Sequence, residues 1–287
     1  MTGTSGWPFP NPVLSASGCG GSGRDLAAYG DLSALGGFVT GSVTLQPRPG
    51  GAEPRIVESP SGLVNAVGLQ NPGVTGFLRD DLAPLLELGA TVVVSIAGHS
   101  LGEYAELART LGRTPGVAAL EVNLSVPDPV GSGLFDVREP FQVGSVIGSC
   151  RRDLRDGVLL LAKVRSDVTR VVETARAAVE AGADAVVVGN ALPAALPDGR
   201  PGGLSGPAIG PQALRCVAEV ARALPQTPVI GCGGIMDADD ARAHLAAGAR
   251  AVQVGTALFH DPTTAFRIAA ELRPEPELDP PAGEDDR

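Results

Sequence analysis

One side chain stands apart from the other charges of this 287-residue chain. Of its 22 basic residues, 21 are arginine and one is lysine, Lys163, at the end of the apolar run "VLLLAKV". A compact ammonium and a planar guanidinium differ in geometry and hydration, so a solitary lysine in an arginine-rich chain points to a site that needs the smaller cation. Two chemistries suit it. The ammonium can stabilise negative charge on a ligand, or the free amine can form a Schiff base with a carbonyl substrate, as in a lyase. Other polar residues close apolar runs in the same way: Ser17, Asn123 and Asn190, while Asn65 and Asn71 lie in a Pro- and Gly-rich stretch. Asparagines so placed can hydrogen-bond a planar heterocycle, or they can satisfy loop backbone. "GCGGIMDADDARAHL" sets Gly233 and Gly234 ahead of a helix with Asp237 as its expected cap, and "VQVGTALFHDP" sets Gly255 and Thr256 at the matching place on the next strand. Paired glycines let backbone N–H groups approach an anion, and a helix start adds a favourable dipole. Together they predict a phosphate site.

Elements that could hold these residues on one rim are legible. Eight apolar, β-branched runs ("NPVLSAS", "GGFVTGSV", "TVVVSIA", "AALEVNLS", "VLLLAKV", "AVVVGNA", "PVIGCGG", "AVQVGTAL") alternate with amphipathic segments such as "LGEYAELARTL" and "GPQALRCVAEVARAL". That alternation predicts an α/β fold, a single (β/α)8 TIM barrel. In such a barrel the residues above fall at the C-terminal face, where ligands bind. Residues 41–74 are too rich in Pro and Gly for a helix and predict a long excursion covering that face.

Composition narrows the function. The net charge of −10 argues against a nucleic-acid partner. No apolar run reaches the ~18 residues that a bilayer span requires, and the N-terminus lacks a signal-peptide pattern, so a cytoplasmic location and no membrane association are expected. Four widely spaced cysteines without a C-x-x-C pair weigh against a metal site or an iron–sulfur cluster in this chain. Residues 1–272 read as one barrel domain, and the acidic, Pro-rich 273–287 as a disordered tail.

"NPVLSASGCG", "SGLVNAVGLQNPGV", "GGLSGPAI", "IGCGGI" and "VQVGTALF" resemble the class 1 dihydroorotate dehydrogenases, especially the catalytic subunit of the type that pairs with an iron–sulfur flavoprotein. The resemblance implies a barrel holding FMN, oxidation of dihydroorotate to orotate in pyrimidine biosynthesis, a homodimer core, and an electron-transfer flavin/iron–sulfur subunit as partner. Carried over by position, it implies FMN contacts at Ser17, Asn123, Lys163, Gly189, Gly206, Gly233, Gly234, Gly255 and Thr256. It implies substrate contacts at Asn65, Ala66, Val67, Gly68, Leu69, Asn123 and Asn190. Lys163 would then lie against the flavin and stabilise its anionic reduced form, a cofactor-tuning role.

The chain departs from that family's pattern where the substrate would lie. The family writes Asn-x-Ser-Cys-Pro-Asn, or Ser in place of Cys, at the stretch that here reads Asn123-Leu124-Ser125-Val126-Pro127-Asp128. The Cys or Ser is the base that removes a substrate proton, and valine cannot do so; losing a general base typically costs ~10²–10⁴-fold in rate. A family lysine is Gly41, an Asn is Ser95, and a Thr or Ser is Ala191. Asp128 is the nearest ionisable substitute for the base and is carried with Lys163 and Asn123 as a catalytic candidate. His99 reads as a solvated loop residue, His244 and His260 as surface residues, Glu121 as a structural carboxylate, and Ser125 as facing away from the site. The alternatives are an FMN barrel enzyme acting on another substrate, an inactive family member, and the Schiff-base lyase built on Lys163.

Overall fold

In the computed structural model, residues 6–126, 134, 135, 137 and 139–273 are described. Asp128 and the stretch 274–287, most of the expected tail, lie outside them. Twelve strands run in chain order: β1 (Val13–Ser15), β2 (Phe38–Val39), β3 (Ile56–Ser59), β4 (Gly62–Asn65), β5 (Val92–Ile96), β6 (Val117–Asn123), β7 (Leu159–Val164), β8 (Ala185–Val188), β9 (Leu192–Ala195), β10 (Pro201–Ser205), β11 (Val229–Cys232) and β12 (Ala251–Val254).

Eight of these form one parallel sheet in the order β1-β12-β11-β8-β7-β6-β5-β2. The Ser15 N–H donates to the Gly37 carbonyl at 3.1 Å and a Leu14–Gly37 bridge joins the two ends, closing the barrel. These are the eight runs expected from sequence. Their residues are buried on both faces, which is why they read as near-continuous apolar segments. Helices Leu101–Gly112, Pro140–Asp153, Val171–Glu180, Gly210–Ala223, Ala238–Ala246 and Thr264–Glu271 return the chain from one strand to the next or close it. Each lays an apolar stripe on the outer face of the strands, and that cluster includes Leu107, Leu111, Val143, Ile147, Val217 and Ile268.

The period-2 alternation of the strands builds the site. Leu14, Val93, Ala119, Leu161, Ala185 and Ala251 fill the barrel interior, with Phe9 and Trp7 packed against them. One step further along the same strand faces come Glu121 after Ala119, Lys163 after Leu161, and Gln253 after Ala251. An apolar layer thus carries a polar layer directly above it.

The excursion is more ordered than its composition suggests. It supplies β3 and β4, which pair antiparallel with each other and then with β10 and β9 to make a four-stranded sheet, β3-β4-β10-β9. This sheet was not expected. Arg200 ties its halves together, donating to the carbonyls of Ala52 at 2.7 Å and Pro54 at 2.9 Å.

Candidate active site

A cavity of about 770 Å³ opens at the C-terminal ends of the barrel strands beneath the antiparallel sheet. That volume is in the usual range of small-molecule and cofactor sites, ~300–1,000 Å³. Its floor is the polar layer. The Lys163 ammonium, 4% exposed, donates to Gln253 Oε1 at 2.7 Å and to Glu121 Oε1 at 3.3 Å. Gln253 Nε2 donates to the other Glu121 oxygen at 2.5 Å. Burial works against the lysine charge, but the Glu121 carboxylate, with Cys232 and Cys19, outweighs it and raises the pKa. The ammonium has three protons and two protein acceptors here, and it faces the cavity. An ammonium whose charge is favoured by a carboxylate and held in hydrogen bonds is a poor amine nucleophile, so this geometry works against Schiff-base chemistry.

Beside it an amide network spans three strand ends. Asn190 Nδ2 donates to Asn123 Oδ1 at 3.0 Å and to Ser125 Oγ at 2.8 Å, and Asn123 Nδ2 donates to Ser42 Oγ at 3.1 Å. Ser42 Oγ in turn lies 2.9 Å from Ser95 Oγ. Asn123, Asn190, Ser42, Ala191 and Val126 line the cavity, whereas Ser125 does not. The valine therefore stands at the cavity wall and the serine behind it: the strand ends at Asn123, so its alternation no longer governs these two residues.

Of the expected FMN contacts, Ser17, Asn123, Lys163, Gly206, Gly233, Gly234, Gly255 and Thr256 all line this one cavity. Gly234, at φ 75°, shows why a side chain is missing there: a Cβ would lie 2.2 Å from the Gly210 Cα. Gly189 is different. It does not line the cavity, and its glycine is demanded by packing, since at φ 130° a Cβ would lie 1.7 Å from the Cys232 carbonyl oxygen. The helix dipole expected after Gly234 is also spent within the protein. Asp237 caps Ala238–Ala246 with its own carboxylate, accepting from Asp239 and Asp240 N–H at 3.0 Å each, and Asp240 accepts from Met236 N–H. What remains open to the cavity at that edge is the glycine-lined backbone.

The expected substrate stretch Asn65, Ala66, Val67, Gly68 and Leu69 lines the opposite wall. Asn65 spends one amide hydrogen on the Gly203 carbonyl at 3.1 Å, locking β4 to β10. Leu69 sits at φ 54°, an uncommon conformation for a residue with a side chain. Asn71 holds it there. Its Nδ2 donates to the Leu69 carbonyl at 2.8 Å, while its Oδ1 accepts from Thr44 and Gly73 N–H at 3.1 and 2.8 Å. Asn71 therefore shapes the wall and does not line this cavity.

Sequence reasoning missed Arg48 and Arg200, which also line the cavity. The lining thus carries three cationic side chains and, among the described residues, no carboxylate and no imidazole, in a chain of net charge −10. The signal that could have revealed Arg48 is its place in the excursion, two residues before Gly50, whose φ is 84°. Cys19 and Cys232 line the cavity too; burial, then Cys232, pushes the Cys19 thiol up to about 12, which leaves it protonated and a poor base.

His99 is outside the cavity, with Nδ1 2.9 Å from Glu103 Oε2 and Nε2 3.0 Å from Arg48 Nη1. It buttresses Arg48 and does not line the cavity. His244 was expected at the surface and is buried, 2% exposed. Its ring fills the space left by Gly231, where a Cβ would lie 2.4 Å from Nδ1. Glu121 is the structural carboxylate expected, and His260 is exposed.

A model of the dihydroorotate dehydrogenase family matches residues 2–275. The chain is 46% identical over 277 residues to the dihydroorotate dehydrogenase B (NAD(+)), catalytic subunit, of Desulforudis audaxviator, a match covering 93% of this chain and 89% of that protein. It is 44% identical to the protein of the same description from Pelobacter propionicus, over 92% of this chain and 89% of the relative. For Geotalea daltonii the identity is again 44%, over 93% and 90%. With a barrel, a polar strand-end layer and a family match spanning nearly its whole length, the chain belongs to the dihydroorotate dehydrogenase family.

Proposed function

We propose that this protein binds FMN in the cavity and oxidises dihydroorotate to orotate in pyrimidine biosynthesis, with a chemical step slowed by Val126. The observation that carries the reading is the electrostatic contrast. A protein with an excess of acidic residues lines one cavity with Lys163, Arg48 and Arg200, while the carboxylates that pair with Lys163 and Arg200, Glu121 and Asp198, stand outside the described lining. Such a site favours anions, and both a flavin phosphate and a ring carboxylate are anions.

The residues fit the cofactor. The turns at Gly206, Gly234 and Gly255 leave backbone exposed where side chains would intrude, and suit a phosphate. Lys163 keeps one N–H for a ligand. When bound, FMN would accept the hydride equivalent from the dihydroorotate ring. The chain's own residues would do the rest. Lys163, fixed by Glu121 and Gln253, would hold positive charge against the negative charge that develops in the cavity. Asn123 and Asn190, fixed to each other and to Ser42 and Ser125, would orient a planar ring through the second Nδ2 hydrogen of Asn123 and the second lone pair of Asn190 Oδ1, whose first accepts from Ala191 N–H. The segment Asn65–Leu69 would cover it and exclude water.

Proton removal is where this chain is weak. Val126 presents only methyl groups, and Ser125 points to Asn190. Losing a general base of this kind costs roughly 3–5 kcal/mol of barrier. Electrons would leave through a partner, as "catalytic subunit" in the relatives' names suggests, or through a soluble acceptor; a homodimer core follows from the family resemblance and is testable by light scattering.

The test is anaerobic mixing of the purified protein with dihydroorotate. Slow loss of the oxidised flavin band that accelerates in Val126→Cys supports the reading. A flavin band that dihydroorotate never bleaches, in either protein, contradicts it.

A further inference from the structure

A second, smaller pocket of about 220 Å³ adjoins the cavity, and the two share Gly21, Gly41 and Gln70 in their walls. Gly41 is the junction that matters. It lies one residue before Ser42, whose hydroxyl accepts from Asn123, so it borders the polar floor where a ring would be held. Its backbone is outside the left-handed region, and a Cβ built there would meet nothing nearer than the Gly18 Cα at 4.0 Å. Neither conformation nor packing requires glycine at position 41. Glycine here therefore puts no side chain between the two spaces.

The side pocket has a definite chemistry. Phe38, Val43, Phe77 and Leu85, each at most 2% exposed, supply an apolar wall. Its polar groups are largely engaged already: Thr40 Oγ1 donates to the Gly41 carbonyl at 2.9 Å and accepts from Ser95 N–H, and Asn71 is occupied within its loop. Among the described residues its lining holds no basic side chain and one carboxylate. That carboxylate, Asp81, has its pKa raised by burial and by Asp80, with Arg24 opposing. This environment rejects an anion and accepts an uncharged aliphatic group.

We propose that the pocket beyond Gly41 is a subsite for an uncharged, largely aliphatic substituent of the ring substrate, so that the enzyme accepts substrates longer than dihydroorotate. The proposal rests on the reading of the main cavity given above. It extends that reading from the ring to what the ring carries.

Calorimetric titration of the flavin-loaded protein with methyl orotate and n-butyl orotate tests it, with the flavin absorption band followed in parallel. Both esters are neutral, so their difference reports chain length alone. The expected result is butyl binding about tenfold tighter than methyl in the native protein, from burial of the added methylenes. In Gly41→Leu, whose side chain fills the junction, that preference is lost, and in Gly41→Ala it is reduced. Equal affinities in the native protein, or a butyl preference that survives Gly41→Leu, would overturn the subsite while leaving the main reading intact. If orotate itself gives neither heat nor a flavin shift, the reading of the cavity fails and the subsite falls with it.

Discussion

The glycines at the two ends of the cavity look alike in the sequence and mean opposite things in the fold. At one end, Gly234 sits at φ 75° and a side chain there would strike the Gly210 backbone at 2.2 Å. At the other, Gly41 has ordinary backbone and open space around it. The first is glycine by necessity, where two loops meet to shape a cradle. The second has no steric reason to be glycine, and Val126 and Ala191 likewise present short apolar groups to the cavity. The Gly234 end is thus held to a fixed shape, whereas the Gly41 end has space that no side chain fills.

Breaking the fixed end should cost most. Lys163→Met removes the ammonium and strands the Glu121 carboxylate in a site that is 0% exposed. Breaking a buried pair by removing one partner costs about 3–5 kcal/mol. A large fall in the denaturant midpoint and loss of flavin retention are expected. A double variant, Lys163→Met with Glu121→Gln, should recover stability but not the flavin, separating the structural role from the cofactor role. A Lys163→Met protein as stable as the native one would break the comparison at its root.

At the wall formed by Val126 the effect should be on rate. Val126→Cys should raise the rate of flavin reduction by dihydroorotate ~10²–10⁴-fold, with little change in thermal stability, as followed by rapid mixing. A thiol introduced there without any gain would mean that the proton leaves by a different route.

The two glycines then provide a direct contrast. Gly234→Ala should destabilise the fold by more than ~1 kcal/mol, as expected where alanine is forced to positive φ, and should weaken flavin binding. Gly41→Ala should stay within about 0.5 kcal/mol of the native protein. Equal costs at the two positions, measured by chemical denaturation, would erase the distinction.

The smallest effect concerns pH. Burial lowers the His244 pKa below its ordinary value, with an interaction at Gly233 and the Asp240 charge opposing. The unfolded chain therefore takes up this proton at higher pH than the folded one. His244 contributes its full stability above the unfolded value, ~6.5, and that contribution declines as pH falls from there toward the folded value. His244→Gln should flatten the stability profile in that window, read from denaturant midpoints at a series of pH values.

Much of the fixed end was legible because its signals are local. A strand such as "VLLLAKV" announces its burial by composition, and the period of two assigns Lys163 to the same face as Leu161 without further information. The antiparallel sheet was not legible for the opposite reason. β10 reads "PGGLS" and β9 "LPAA", segments with almost no intrinsic strand preference. They are strands because β4 and each other supply the pairing, with Pro193 on an edge strand and Pro201 at a strand start, positions where a missing N–H is tolerated. The same limit explains Asn71 and His244. Whether an asparagine faces a ligand or its own loop, and whether a histidine on an amphipathic helix is exposed or fills the space above Gly231, depends on residues far away in the chain.

The most direct test of the whole account is the absorption spectrum of the purified protein and of the supernatant after denaturation. The account predicts an oxidised-flavin spectrum and release of FMN in stoichiometric amount. A colourless protein that takes up no FMN when it is supplied would contradict it.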